Sequence, residues 1–191
     1  MRGQDLLTMQ LRGSFDLIAE HAGDAAAVWD QKARPGVSMP GFVLWHCARI
    51  IDWGVHTVVR RVPEVAAGDD WRERIRYTLG HGAGLSTAEA EQLAKTVTPD
   101  DVIAYVQALR RPVLDWVARI TDDELDETID MRAVNATHPR YITDMAWAEV
   151  KNLDGVQAWQ ILARPCISHV RIHIGEVETL SAAVAASVTA S

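Results

Sequence analysis

Between Val102 and Ile120 an apolar residue recurs every three or four positions: Val102, Val106, Leu109, Val113, Leu114, Val117 and Ile120. That period places all of them on one face of an α-helix, whereas a strand would split them between two faces. The phrase Thr98-Pro99-Asp100-Asp101 just upstream supplies the start. It combines a capping hydroxyl, a proline where no amide partner is lost, and acidic residues against the helix dipole. The spacing predicts a helix over about 99–120, bent or lacking one hydrogen bond at Pro112.

Three more long segments follow the same logic. Gln4 to about His21 carries a mixed three- and four-residue apolar spacing, weakened slightly by Gly13. Ser38 and Pro40 read as the start of a second helix over Gly41–Arg61, which is apolar on more than one face and ends at Pro63. A fourth is predicted over about 155–185, kinked at Pro165. Shorter helices are expected at Trp71–Ile75, at Ser86–Leu93 through the Ser86/Glu89 capping-box spacing, and at Thr143–Lys151. Gly80, Gly82 and Gly84 mark a flexible stretch around His81, and Asp122–Asp130 reads as turns. Strand and hairpin signals are scarce, so the expected class is all-α. The expected architecture is an antiparallel up-down four-helix bundle with additional short helices in the connections, one domain over residues 1–191.

Composition narrows the function classes. With 48% apolar and 24% charged residues the chain can bury a core, and its net charge of −7 lacks the clustered cations of a nucleic-acid surface. Arg72–Arg76 is interrupted by Glu73 and reads as a solvated helix face. Cys47 and Cys166 sit in apolar surroundings without CxxC spacing and read as buried hydrophobes, although Cys166, one turn before His169, invites a thiol assay. The residues after Met1 form no apolar leader, no window approaches a bilayer-spanning run, and Ser181–Ser191 reads as a fraying helix end. No membrane association and a cytoplasmic location are the expectation.

The chemistry concentrates on histidines. His169 and His173, at i and i+4, share one face of the fourth helix, and His46 lies in the second. If those helices are neighbours, three imidazoles meet inside the bundle as a divalent-metal site of the kind zinc or nickel favours. Glu176 returns to the same face and can orient an imidazole or act as a base at the metal. Arg49, one turn from His46, can hold an anionic group or simply pair with Asp52, and Trp53 can wall the site. The plainer alternative is that each is a core residue: an HxxxH pair alone is weak, and Trp45, Trp53, Trp147 and Trp159 suit core anchors. His21, His56, His81 and His138 have no partner spacing. No nucleophile elbow, phosphate loop, dinucleotide fingerprint or HExxH is present.

Two phrases resemble a family. Leu44-Trp45-His46-Cys47-Ala48-Arg49-Ile50-Ile51-Asp52-Trp53 is similar to the WH-x-A/R-x-x-D phrase of DinB-like proteins, and His169-Val170-Arg171-Ile172-His173-Ile174-Gly175-Glu176 is similar to their H-x-x-x-H-x-G-E helix. The resemblance implies a four-helix bundle of the DinB/YfiT kind, dimeric, with a divalent metal on His46, His169 and His173. It further implies metal-dependent transfer or isomerisation of small electrophiles with a low-molecular-weight thiol such as mycothiol or bacillithiol as co-substrate. The alternative it leaves open is a non-enzymatic, stress-related bundle that binds a metal or small ligand.

Overall fold

The apolar stripe at 102–120 is buried along its whole length, from Val102 to Ile120. All of it but Ile120 belongs to a helix over Pro99–Val117 that runs through Pro112 without interruption, and Ile120 follows just past the helix end. Its start is the one the sequence specifies: Thr98 Oγ1 accepts the Asp101 amide at 3.1 Å, and Asp101 accepts the Thr98 amide at 2.9 Å. The computed structural model describes residues 2–189, with side chains as far as Ser187. Met1 and the last two residues of the alanine-rich end lie outside the described residues. The chain is all-α, its only β feature among the described residues being an isolated bridge between Thr128 and Gln157. No described helix is long and apolar enough to cross a membrane.

The first helix, Gly3–Asp24, buries Leu11, Phe15, Ile18 and Ala22 on one stripe. The second begins with Pro40 and is α-helical to Asp52, then continues as a π-helical segment over Trp53–Val59. Ser38 does not cap it. Met39 holds that position without a side-chain bond, and the Gly41 amide is satisfied at 2.9 Å by the Trp29 carbonyl. Trp29 presses so closely on Gly41 that a Cβ there would fall 2.5 Å from the ring. The last helical run comprises Ala158–Ala163, a π segment over Arg164–His169, and Val170–Thr189. Pro165 lies in the wide turn: lacking an N–H, it cannot extend the α ladder, and the helix there is wound more loosely. Short helices form at Asp69–Arg72, Thr87–Thr96, Asp122–Asp126 and Asp144–Val150. The third of these replaces the turns expected after Asp122, with Thr121 as its cap.

Side-chain contacts fix the directions of the long helices. Asp16 meets Arg110, and residues 2–12 meet Ala118, so the first and third long helices are antiparallel. Arg49 and Asp52 meet Tyr105 while Arg60 covers Trp116, so the second and third are parallel. His46 meets His169 while Gly54 meets Cys166, so the second and last are antiparallel. Arg171 contacts Gln10 and Glu178 contacts His21, so the first and last run together. The order is therefore up, down, down, up rather than the alternating one expected. The physical reason is the long segment between Val59 and Pro99, which crosses back over the bundle before the third helix begins; only short connections force neighbours to alternate.

Candidate metal centre

The two π segments lie where the second and last helices face each other. A Cβ at Gly54 would fall 2.6 Å from Cys166 Sγ, so the glycine lets the wide turns pack closely. Such turns shift the side chains that follow them out of α register, and they concentrate at functional positions. The segment Arg164–His169 contains one histidine and precedes the next, and His46, in the α-helical part of the second helix, lies against both His169 and His173. The Nε2 atoms of His46 and His169 are 3.0 Å apart, and those of His173 and His169 are 3.1 Å apart. All three ligand atoms lie within 4.8 Å of one another.

The other ring nitrogens decide what the cluster can hold. His46 Nδ1 donates to the His81 carbonyl at 2.5 Å, and His173 Nδ1 donates to Glu176 at 2.7 Å. With those protons held at Nδ1, the Nε2 lone pairs of both rings point into the cluster. Facing lone pairs at such distances repel unless a proton or a cation lies among them, and the one ring proton of a neutral His169 can bridge to only one of the two neighbours at a time. Additional protons are disfavoured: burial first, then the neighbouring imidazoles, lower His46 to about 3, and burial followed by His173 lowers His169 to about 4, so the rings stay neutral. An all-imidazole, neutral donor set suits zinc or nickel and not the oxygen-seeking magnesium or calcium.

Glu176 is thus placed as the acceptor that orients His173, one of the two roles open to it in the sequence. Trp53 is fully buried, lines the cavity together with His46 and packs on His81 with ring centroids 4.4 Å apart. Arg49 is a correction. It is 0% exposed, and its guanidinium donates to Asp52 at 3.1 Å, Tyr105 at 2.8 Å, Glu64 at 2.5 Å and the Gly80 carbonyl at 3.1 Å. It faces a saturated interior network and no ligand can reach it. Its influence on the site is indirect, since it holds the carbonyl next to the one that orients His46. Trp159 is a second correction: 42% exposed, it is no core anchor and donates its indole N–H to Gln157. Cys47 and Cys166 are free and buried, and burial pushes both thiols well above their ordinary value, so neither offers a thiolate.

Sequence reasoning missed His81. The Gly80–Gly84 stretch is largely buried, with φ of +65° at Gly80 and +106° at Gly82. These are conformations glycine adopts freely and other residues rarely do. A Cβ at Gly82 would sit 3.1 Å from His46 Nδ1. The alternating glycines were the available signal, since they mark a backbone that must pass close to something.

Beside the triad opens a cavity of about 280 Å³, lined by His46 and His169 together with the apolar Ile50, Trp53, Val150 and Leu153. It is small-molecule sized, at the lower end of typical ligand pockets. His46 and His169 reach it, so a bound ion would keep an accessible side.

A family model described as the DinB superfamily matches residues 10–153, a span that includes His46 and ends before His169. The crystal structure of a conserved protein from Enterococcus faecalis is similar with a TM-score of 0.67 at 16% identity, covering 97% of this chain and 99% of that one. At that identity the likeness shows the fold. No curated protein matches the chain in sequence.

Proposed function

The chain belongs to the DinB superfamily, and from that premise we propose that it is a divalent-metal protein, with zinc or nickel on His46, His169 and His173, that transfers a low-molecular-weight thiol to small electrophiles. One observation carries the metal reading: three Nε2 atoms converge while the Nδ1 protons of two of the rings are already committed to acceptors. The superfamily is generally metal-binding, which supports the same reading. Three protein ligands leave a coordination position for an exogenous group, as catalytic rather than structural sites do. A bound ion of this kind lowers the pKa of a thiol and favours its thiolate at neutral pH.

The chain's own groups supply the surroundings. Glu176 and the His81 carbonyl fix two imidazole orientations, and the apolar walls from Ile50, Trp53 and Leu153 exclude water around a reacting sulfur. The protein's two cysteines are too deeply buried to serve as the nucleophile, so the thiol must come from outside.

The test is conjugation of monochlorobimane with mycothiol, bacillithiol or glutathione by protein carrying zinc or nickel. Turnover with at least one thiol, dependent on the metal and lost in His169→Ala, is expected. Absence of metal-dependent turnover with every thiol would remove the transferase reading.

A further inference from the structure

The wide π turn over Arg164–His169 does more than place a ligand. Arg164, Ser168 and His169 all line the cavity, so the turn brings an arginine and a histidine to the same space. Arg164 is exposed and makes no ion pair or side-chain hydrogen bond among the described residues. Its carbonyl is occupied, accepting from Ser168 Oγ at 3.2 Å, which ties the backbone of the turn while leaving the side chain free. Elsewhere the chain sets most of its other arginines against carboxylates or aromatic rings: Arg74 on Asp101, Arg110 on Asp16, Arg140 on Glu89, Arg132 over Trp147.

The same cavity contains one carboxylate, Glu149. Its Oε1 accepts the Gly84 amide at 3.0 Å, and it does not reach Arg164 within ion-pair distance. The cavity therefore combines three kinds of lining: imidazoles, apolar side chains from Ile50, Trp53, Val150, Leu153 and Ile172, and Arg164, a cation that no carboxylate among the described residues pairs.

We infer that Arg164 is the specificity-determining residue of this cavity, binding the carboxylate of a small anionic ligand whose apolar body lies along the walls towards the histidines. The inference rests on the cavity being the ligand site of the proposed function, and it assigns to Arg164 the role that the sequence reading offered to Arg49. A guanidinium suits the task because its fork of N–H groups matches a carboxylate in two-point contact.

Calorimetric titration of hexanoate and of 1-hexanol, a pair with the same alkyl body, tests this. The protein is used as purified, after removal of metal by chelation, and after reloading with zinc. Hexanoate is expected to bind the metal-free protein at least about tenfold more tightly than hexanol, consistent with one charge-assisted contact. Arg164→Gln should abolish that ratio with hexanol binding unchanged, and Arg164→Lys should retain part of it. Equal binding of the two ligands, no binding of either, or an undiminished ratio in Arg164→Gln overturns the inference. Failure of the protein to take up zinc would count against the metal reading instead, and the metal-free comparison would still stand.

Discussion

His46 and Arg49 lie one turn apart on the same helix, yet the polar clusters around them are built on opposite terms. Around Arg49 the partners are complete. Asp52 accepts from Arg49, from Tyr105 and from the amides of Val65 and Ala66, and His56 stands 2.7 Å from its other oxygen. Glu64 accepts from Arg49, Thr57 and Tyr141. Every member except Thr57 and Val65 is buried, and donors and acceptors match. Around His46 the outward nitrogens of His46 and His173 are matched, while three Nε2 atoms crowd one another beside a cavity with at most one ring proton, that of His169, to share among them. A satisfied buried cluster holds a fold in one arrangement. An unsatisfied one at a cavity is where a protein expects something from outside.

The comparison can be broken by substitution. Arg49→Ala strands Asp52 and Glu64 as buried charges and should cost about 3–5 kcal/mol in urea denaturation. His46→Ala, in metal-free protein, should cost about 1 kcal/mol, the ordinary size of a point substitution. Equal losses at the two positions would erase the distinction between the clusters. Gly82→Ala tests the loop that joins them: its φ of +106° and the 3.1 Å approach to His46 Nδ1 predict a loss of about 1–3 kcal/mol together with weaker metal binding. Glu176→Gln should leave stability nearly unchanged and lower metal affinity about 10–100-fold, measured by competition with a chromophoric chelator, because a charged acceptor on His173 is lost.

The smallest effect separates the clusters by pH. In metal-free protein, folding holds His46 and His169 below the ordinary imidazole value of about 6.5. Above that pH both folded and unfolded chains are neutral there. As pH falls towards about 4 and then about 3, the unfolded chain takes up protons that the folded one refuses, so stability declines. Buried His81 and His138 are lowered as well and add to the slope. The double variant His46→Ala/His169→Ala should flatten part of it. In the Arg49 cluster, burial opposes the charge of Asp52, but the His56 hydrogen bond and Arg49 outweigh it and hold the carboxyl below its ordinary value. That contribution is present above the ordinary carboxylate range and is lost only at more acidic pH. A double variant as steep as the wild type above the carboxylate range would contradict the assignment.

What the sequence made legible was what depends on neighbours in the chain. The Thr98/Asp101 and Ser86/Glu89 boxes form as their spacing predicts, and the 102–120 stripe enters the core as its period requires. The meeting of His46 with His169 and His173 was also legible, because an i, i+4 pair and a third histidine on an apolar helix need only one helix contact to converge. The direction of the third long helix was not, since a long crossover leaves no periodic trace. Arg49 was misread for a related reason: its burial is set by Glu64, Tyr105 and Gly80, which only the fold brings to it. Arg164 went unremarked although an arginine followed by proline inside a predicted helix marks a place where the ladder must loosen.

The most direct test is metal content, by elemental analysis of protein expressed without a polyhistidine tag. The account predicts one zinc or nickel ion per chain in the wild type, loss of the ion in His46→Ala and in His169→Ala, and retention in His21→Ala. A wild-type protein that takes up neither ion when offered it, or a His46→Ala variant that keeps a full complement, would contradict it.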